Sequence, residues 1–433
     1  MIEVTEDEPE PVAAQAITTA QPAIAAAAVA EPALGTDINR DAAPIVIIGS
    51  GYAGYGLAEA LRKRDAQVPV VLFTLDDGAN YSKPGLSNAM ARGKTPPQLV
   101  TASAEDMAQR LNITVHTDCR VQQIEPEQHR LVSEQGELTY SKLVLATGAE
   151  PLLLPLSGDA ADEVVSVNSL SDYRHFRARL DALQPASGQA RISIIGNGLV
   201  GSEYANELIN QGYAVNVIGL SRWPLDPMMP EALGRRLQQR LQDLGVNWYL
   251  ETTVQSVEHD GAGYRLTLGK GETLAADLVL SAIGLRPRIE LAEKAGITCQ
   301  RGICIDEYLR TSAEDVYALG DCTEINGQVL PYIAPITHGL RALADTLLDQ
   351  PTAVHYPLMP VVVKTPALPL LLEPPKPGLA GEWQVSSSEQ GLRGLFVDEQ
   401  QRVAGFALSD ELTHSERQQW LEAISNAQVA PLA

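Results

Sequence analysis

The sequence predicts an α/β fold made of two Rossmann-like units and a smaller α+β domain at the carboxyl end. The main observation is a repeat: a buried strand, a glycine-rich turn and an amphipathic helix occur near residue 50 and again near residue 197. Size is the second observation, since 433 residues with a hydrophobic fraction of 45% can bury more than one core. The third is that the composition shifts at about residue 357, after which two segments alternate like antiparallel strands.

The first 43 residues differ in composition from everything that follows. They contain eight acids and one base among many alanines and prolines, and they lack the basic start and the cleavage site of a signal peptide. Such a composition is typical of a flexible tail or linker. We therefore expect residues 1–43 to be disordered and to carry no chemistry.

The charge of the whole chain excludes two classes of partner. Its formal net charge is −22, whereas binding nucleic acid requires a basic surface that displaces counterions from phosphates. An anionic membrane surface is disfavoured for the same reason. No run of about 18 apolar residues occurs, so we expect no membrane span.

The first glycine-rich turn, Gly49-Ser-Gly51-Tyr-Ala-Gly54, joins a buried strand to a helix. In a dinucleotide-binding unit these glycines permit a tight turn, let the backbone approach a pyrophosphate, and let helix and strand pack closely. The helix N-terminus then offers free N–H groups to the anion. After the next strand, either Asp76 or Asp77 can hold the adenosine ribose. We favour Asp76, the alternative being a solvated loop acid.

The second glycine-rich turn, Gly196-Asn-Gly198-Leu-Val-Gly201, repeats the same pattern. The strand that follows it ends at Gly219, where NAD-binding units usually carry an acid, and Arg222 lies nearby. The missing acid weakens the assignment to NADH, but one arginine is little support for a 2′-phosphate site. We expect NADH and leave NADPH open.

Later motifs complete the first unit and begin a third domain. The segment DVYALGDC contains Gly320-Asp321, where a carboxylate after an apolar strand can contact a sugar-like chain or cap a helix. HGLRALADTLLD, residues 338–349, predicts a helix. Further on, VVVKTPALPLLL and GLRGLFVDEQQRVAGFALS predict strands, and THSERQQWLEAISN predicts a terminal helix capped by Thr413 together with Glu416.

The four cysteines, Cys119, Cys299, Cys304 and Cys322, form no CxxC pair. Their spacing predicts neither a zinc ribbon nor a rubredoxin-type iron site, and the histidines lack metal-binding spacing, so we expect no metal. It also argues against a catalytic disulfide. Such sparse cysteine suits a reducing compartment, and we expect a cytoplasmic protein.

Taken together, the motifs resemble those of the rubredoxin reductases, which have a glutathione-reductase-like architecture without its redox cysteines. The resemblance covers about residues 44–425 and leaves the tail outside. Flavorubredoxin reductases are close to this family, and the ferredoxin reductases of oxygenase systems are more distant. The motifs that carry the resemblance are the two glycine turns, Tyr81-Ser-Lys83-Pro84-Gly-Leu-Ser87, Ala146-Thr-Gly148, GLRPR (284–288), TSAEDVYALGDC (311–322) and VKTPALPL (363–370).

The resemblance implies one noncovalent FAD, hydride transfer from NADH to the flavin, and transfer of single electrons to a separate rubredoxin or a related small iron protein. We therefore expect an FAD-dependent NADH:rubredoxin oxidoreductase. A flavorubredoxin or ferredoxin reductase is the alternative, and an FAD-bound redox sensor resembling apoptosis-inducing factor is a remote one. The sequence does not decide between monomer and dimer.

The resemblance also implies the residues of the site. Lys83, Glu203 and Lys364 would lie near the flavin, where the charge of Lys83 stabilises the reduced form; the alternative for Lys83 is a surface lysine. Tyr332 would line the side of re-oxidation, unless it is ordinary core. The residues expected to bind FAD are Gly49, Gly51, Tyr52, Ala53, Gly54, Asp76, Lys83, Pro84, Ala146, Thr147, Gly148, Gly320, Asp321 and Tyr332. Those expected to bind NAD are Gly196, Gly198, Leu199, Val200, Gly201, Glu203 and Gly284.

The same considerations give domain bounds. We expect a discontinuous FAD-binding domain at 44–158 and 285–356, with an NAD(P)H-binding domain at 159–284 inserted into it. A C-terminal domain at 357–433 would cover the flavin edge and help to dock the partner. Because rubredoxins are usually acidic, as this chain is, docking requires a local basic rim. The residues expected to form it are Lys83, Arg92, Lys94 and Lys364.

Overall fold

The computed structural model describes residues 43–184 and 188–429, with side chains up to residue 426 in the last helix. The predicted tail, residues 1–43, lies outside these residues except for Ala43.

The amino-terminal part of the fold contains ten strands and two helices among the described residues. The strands are β1 (Ile45–Ile48), β2 (Val70–Phe73), β3 (Asn80–Tyr81), β4 (Val100–Ala102), β5 (Thr114–His116), β6 (Val121–Glu125), β7 (Arg130–Ser133), β8 (Gly136–Thr139), β9 (Lys142–Leu145) and β10 (Ala149–Pro151). The helices are α1 (Tyr52–Arg62) and α2 (Ala104–Leu111), and a 3₁₀ helix covers Lys83–Asn88.

Within its described residues, the middle part of the chain contains three α-helices. They are α3 (Leu170–Asp181), α4 (Leu199–Asn210) and α5 (Glu231–Asp243). Its strands are β11 (Val165–Ser166), β12 (Arg191–Ile195), β13 (Ala214–Gly219), β14 (Asn247–Leu250), β15 (Val254–Asp260), β16 (Gly263–Leu268), β17 (Thr273–Ala276), β18 (Leu278–Ser281) and β19 (Leu285–Pro287).

The carboxyl-terminal part contains four helices in the described residues. They are α6 (Glu290–Lys294), α7 (Ile333–Leu347), α8 (Leu412–Ser415) and α9 (Arg417–Val429). Its strands are β20 (Ile303–Ile305), β21 (Val316–Ala318), β22 (Thr323–Ile325), β23 (Val361–Val363), β24 (Leu370–Glu373), β25 (Gly381–Ser388), β26 (Gly391–Asp398) and β27 (Val403–Ser409).

The first sheet is parallel, with the strand order β21-β9-β1-β2-β5. Every residue of β1 is buried, because helices cover one face of the sheet and the antiparallel sheet β6-β7-β8 covers the other. Alternate residues of β1 belong to different cores: Ile47 packs with α1 and α7, and Val46 packs with β6 and β7. A strand contributed from residues 316–318 therefore completes a sheet begun at residue 45.

The second sheet repeats this arrangement. It is also parallel, with the order β11-β18-β12-β13-β14. In both sheets the central strand leads into a glycine turn and a helix, as the repeat in the sequence predicts. The two sheets are joined by an antiparallel ribbon of β10 and β19, in which Ala149 pairs with Pro287.

The third sheet is antiparallel and lies in the carboxyl-terminal part, with the order β23-β24-β27-β26-β25. One of its cores is shared: Leu370 and Leu372 pack in the same cluster as Ile192 of the second sheet and Leu86 of the 3₁₀ helix. This cluster holds three distant stretches of sequence together around one face of α4.

Two predicted helix boundaries are wrong. Helix α7 begins at Ile333 rather than at residue 338, because Pro335 is tolerated in a first turn. Thr413 does not cap a terminal helix; it lies within the short helix α8, and its hydroxyl donates to the Asp410 carbonyl oxygen at 2.7 Å. Glu416 instead accepts hydrogen bonds from Arg393 and from the Trp420 indole, so tertiary partners override the capping pattern.

Candidate functional site

The first glycine turn has the geometry of an anion cradle. Gly49 has φ +119°, and a Cβ there would lie 2.2 Å from the Ala146 carbonyl oxygen; a Cβ on Gly54 would lie 1.8 Å from the Gly49 oxygen. By contrast, nothing lies within 4 Å of a Cβ built on Gly51 or on Gly148. Gly49 and Gly54 are therefore required for packing, whereas Gly51 and Gly148 face open space.

The helix after this turn leaves its N-terminus available. Helix α1 has no side-chain cap at Gly51 and no acid in its first turn. Tyr52 is exposed and Ala53 is buried beneath it. Free N–H groups that face open space, without a competing carboxylate, fit the pyrophosphate of a dinucleotide.

The second glycine turn reproduces this geometry. A Cβ on Gly196 would lie 2.4 Å from the Ala282 oxygen, and one on Gly201 would lie 2.0 Å from the Gly196 oxygen, while Gly198 faces open space. Helix α4 likewise has no side-chain cap and no acid in its first turn. The other residues predicted here have these positions: Leu199 is half-buried, Val200 is exposed, and Gly284 has φ +117° beyond the end of β18.

The two acids that could bind the adenosine ribose, Asp76 and Asp77, have different partners in the structure. Asp76 accepts hydrogen bonds from the hydroxyls of Thr74 (2.6 Å) and Ser50 (3.2 Å), so it is tied to the first glycine turn. Asp77 pairs instead with Arg174 of α3, at 3.1 Å. The geometry favours Asp76 over Asp77 as the residue next to a nucleotide.

Lys83 and Asp321 face one another next to the first turn. Their charged atoms, Nζ and Oδ2, are 3.8 Å apart. Burial raises the pKa of Asp321 and lowers the pKa of Lys83, and the attraction between the two groups partly offsets both shifts. Gly320 has φ +95° and brings its backbone against Ala53. Two expected residues thus form one charge pair beside the helix N-terminus.

A second charge pair, which joins three stretches of sequence, is built around Glu203. This carboxylate is 5% exposed, yet its Oε2 accepts from the Ser87 hydroxyl at 2.6 Å and lies 3.1 Å from the Lys364 Nζ. Its Oε1 accepts from the Lys364 backbone N–H at 3.1 Å. The Lys364 ammonium also donates to Ser87 at 2.9 Å and to the Pro84 carbonyl oxygen. The buried charge is therefore paired and fully hydrogen-bonded.

Two further residues of α4 extend this contact. Asn206 accepts from the backbone N–H of Ala367, and Glu207 accepts from that of Ala91, each at 2.9 Å. Burial raises the pKa of Glu207, and its contacts with the backbone amides of Ala91 and Met90 partly offset the shift. Glu203, Asn206 and Glu207 lie on one face of the helix, at i, i+3 and i+4 spacing. We name these three residues the α4 clamp.

Three residues in the contacts around Glu203 and α4 were not predicted as site residues from the sequence. Ser87 was visible within the YSKPGLS motif but was not assigned a role. Asn206 and Glu207 carried no signal, because buried polar residues in a helix are distinguished from exposed ones only by their tertiary partners.

Tyr332, Thr147 and Ala146 are the remaining residues predicted for the FAD site. Tyr332 precedes α7 and is 36% exposed, and burial together with nearby Glu373 raises the pKa of its phenol. Thr147 donates from its hydroxyl to the Arg288 carbonyl oxygen at 2.9 Å, close to the β10–β19 ribbon. Ala146 is buried at the end of β9.

The predicted basic rim separates into two pairs. Arg92 and Lys94 are exposed. Lys83 and Lys364 are half-buried and are paired with Asp321 and Glu203. Among the described residues, Arg92 and Lys94 form no ion pair within hydrogen-bonding distance of a carboxylate.

Three classes of feature are absent from the residues that the structure describes. No group of three His, Cys, Asp or Glu side chains there could hold a metal ion. No helix among them is long and apolar enough to cross a membrane. All four cysteines lie in the described ranges and are free thiols.

The chain matches known families along most of its length. Residues 43–341 match the pyridine nucleotide-disulphide oxidoreductase family, and residues 353–424 match the rubredoxin binding C-terminal domain. The chain is 45% identical over 371 residues to a rubredoxin-NAD(+) reductase of Acinetobacter baylyi, a match that covers 84% of this chain and 93% of that protein.

Two further similarities are informative. A nitric oxide reductase FlRd-NAD(+) reductase of Escherichia coli is 37% identical over 367 residues, covering 85% of this chain and 95% of that protein. The solved covalent complex of putidaredoxin reductase with putidaredoxin superposes with a TM-score of 0.79 at 23% identity, covering 89% of this chain and 93% of that one. At that identity the likeness concerns the fold.

Proposed function

Since this chain belongs to the pyridine nucleotide-disulphide oxidoreductase family, we propose that it is an FAD-dependent reductase that takes a hydride from NADH and delivers single electrons to rubredoxin. The observation that carries the proposal is the pairing of Lys364 with Glu203 and Ser87. Lys364 lies in the stretch that matches a rubredoxin-binding domain, whereas Glu203 follows the second glycine turn. One polar cluster thus connects the candidate nicotinamide site to the candidate partner domain.

FAD is assigned to the first glycine turn and NADH to the second. Bound FAD would supply the chemistry, since it accepts an electron pair as a hydride and releases the electrons singly. The open cradle at Gly51 and Gly148 and the uncapped N-terminus of α1 support its placement. Gly198 and α4 support the same for the dinucleotide part of NADH.

The domain bounds that we propose follow from this assignment. The FAD-binding domain comprises residues 44–158 and 285–356, because β21 belongs to the same sheet as β1. The NAD(P)H-binding domain, residues 159–284, is inserted through the β10–β19 ribbon. Residues 357–433 form the partner-binding domain.

The charged residues of the chain are proposed to hold the reacting groups in place. Lys83, paired with Asp321, places a cation beside the flavin, where negative charge develops on reduction. Glu203 is held by Lys364 and Ser87 in one orientation next to the nicotinamide. These residues bind and orient, and the four cysteines in the described part of the chain are free thiols.

Rubredoxin is the partner that we propose, and the cytoplasm is the proposed location. The match of residues 353–424 supports the former, and four free thiols support the latter. Flavorubredoxin is a second candidate partner, because of the likeness to the E. coli FlRd-NAD(+) reductase.

A direct experiment compares three acceptors. Purified protein should contain FAD, and anaerobic NADH should bleach the flavin absorbance. Oxidised rubredoxin, the rubredoxin domain of a flavorubredoxin, or a ferredoxin is then mixed with the reduced protein. We expect fast re-oxidation by rubredoxin and at least tenfold slower re-oxidation by ferredoxin. A colourless protein, or one that reduces ferredoxin faster, would contradict the proposal.

A further inference from the structure

The loop after β13 lacks the acid that usually binds the adenosine ribose, and the structure shows why. In a Rossmann unit this loop faces the 2′ position of that ribose. A Cβ on Gly219 would lie 2.4 Å from both Cγ and Oδ1 of Asn197. Asn197 is 6% exposed, and its amide donates to the Trp223 carbonyl oxygen at 3.2 Å. The space in which an acidic side chain would begin is therefore filled, and other residues must distinguish NADH from NADPH.

Arg222 is the exposed cation of this loop, and its position is fixed. Its guanidinium lies 4.3 Å from the centroid of the Trp223 ring, a cation–π distance. Trp223 is itself buried: its indole N–H faces the Met229 carbonyl oxygen at 3.4 Å, and a Cβ on Gly234 would lie 1.9 Å from its ring. The Arg222 side chain remains 62% exposed. The loop thus presents one positive charge to solvent on a rigid support.

The Asp226 carboxylate forms an ion pair with the Arg222 guanidinium. Its Oδ2 lies 3.3 Å from the Arg222 Nε, and its Oδ1 lies 3.3 Å from the Arg222 Nη2. Its Oδ2 also accepts from the Arg222 backbone N–H at 3.3 Å. Glu231 and Glu251 are nearby and add further negative charge. The pair is a two-point fork, the same geometry with which arginine binds a phosphate.

We propose that Asp226 is the specificity-determining residue that makes the second nucleotide site prefer NADH to NADPH. The guanidinium N–H groups that would bind a 2′-phosphate at Arg222 already contact Asp226. The Asp226 carboxylate would also repel the phosphate. A 2′-hydroxyl carries no charge and meets neither obstacle. This inference rests on the proposed binding of a nicotinamide dinucleotide at the second glycine turn.

The test measures nucleotide fragments, so that it depends on neither flavin chemistry nor rubredoxin. Isothermal titration calorimetry of the full-length protein gives the Kd of 5′-AMP and of 2′,5′-ADP, which differ by the 2′-phosphate. The variants are D226N, which keeps the size of the side chain, D226S, which shortens it, R222M, and R222M combined with D226N. E258Q is the matched control, because Glu258 pairs with Arg265 on β16 and is not among the acids that act on Arg222.

We expect D226N to bind 2′,5′-ADP about tenfold more tightly, the scale of one removed charge at short range, and 5′-AMP within about twofold. R222M combined with D226N should lose that gain, and E258Q should change neither affinity beyond about twofold. The ratio of kcat/KM for NADPH to that for NADH, measured with ferricyanide as acceptor, should rise with D226N in parallel.

The inference would be overturned by unchanged 2′,5′-ADP affinity in both Asp226 variants, by an equal gain in E258Q, or by a wild-type protein that binds 2′,5′-ADP at least as tightly as 5′-AMP. Binding of neither fragment would also overturn it. Failure to reduce rubredoxin would count against the proposed function only, because fragment affinity does not depend on that step. Thermal melting and FAD content establish that each variant is folded.

Discussion

At the scale of single residues, Glu373 is the carboxylate whose surroundings most clearly oppose its charge. It ends β24, where burial raises its pKa to about 7 and a backbone contact with Met359 offsets this only in part. Its Oε2 is buried without a hydrogen-bond partner among the described residues. A carboxyl group in such a place is held more easily protonated than ionised.

Glu373 should therefore make stability depend on pH. Its pKa is higher in the folded than in the unfolded chain, so its contribution is fully present below about pH 4.5 and is lost as pH rises through about 7. The shift corresponds to about 3 kcal/mol, which partial solvent contact reduces to about 2 kcal/mol. We expect E373Q to remove this loss.

The measurement is urea unfolding of wild type and E373Q at pH 5, 6, 7 and 8. The difference in unfolding free energy between the two proteins should change steadily over this range. A constant difference would show that Glu373 does not titrate there. E382Q, on the exposed strand β25, is the control: its unfolding free energy should depend on pH in the same way as that of wild type.

Lys364 and Glu203 should be coupled in stability. K364M leaves a buried carboxylate with the Ser87 hydroxyl and one backbone amide but no counter-charge, and we expect a loss of about 2 kcal/mol. Combining it with E203Q removes the uncompensated charge and should recover part of that loss. Additive effects in the double-mutant cycle would mean that the two side chains do not interact.

At the scale of elements, the two glycine turns allow cofactor binding to be separated from folding. G51A and G198A add a methyl group where nothing lies within 4 Å, whereas G54A places one 1.8 Å from a backbone oxygen. We expect G51A to fold but to lose most of its FAD, because the methyl group fills the cradle. G198A should keep FAD and bind NADH at least tenfold more weakly.

FAD content after gel filtration, the Kd of NADH, and the melting temperature distinguish these variants. G54A should not fold, and it serves as the packing control. Normal FAD content in G51A would place the cofactor elsewhere than at the first turn.

The elements also show what a sequence can reveal. Strands β1 and β2 of the first sheet and β12 and β13 of the second were predicted together with their glycine turns, because their signals are local: apolar runs, and glycines at positions that only glycine can occupy. Strands β5, β11 and β14, at the edges of these sheets, were not predicted. The partners of Glu203 were not predictable in detail, because Ser87 and Lys364 come from opposite ends of the sequence. The start of α9 was missed for a similar reason, since Arg393 draws Glu416 away from a capping role.

At the scale of the whole molecule, net charge opposes the proposed association. A chain of net charge −22 repels an acidic rubredoxin unless the contact surface is locally basic. Arg92 and Lys94 are exposed near the 3₁₀ helix that carries Lys83. We therefore expect these two residues to form the basic contact surface for rubredoxin.

Reversing both charges should slow electron delivery. We expect R92E combined with K94E to lower the second-order rate of rubredoxin reduction about tenfold at low salt, with a smaller effect at high salt. Reduction of ferricyanide by NADH should be unchanged. If the rubredoxin rate and its salt dependence match those of wild type, the partner binds a different surface. R110E combined with K63E, on exposed helix surfaces elsewhere, is the control for net charge.

The order of strands in the first sheet also has a consequence for synthesis. The strand that flanks β9, residues 316–318, is translated only after the entire second sheet. During translation, β9 therefore lacks one of its two neighbouring strands until residues 316–318 have been made. Residues 152–284 emerge earlier and can fold first. The sheet that begins the chain is therefore among the last parts that the nascent polypeptide can finish.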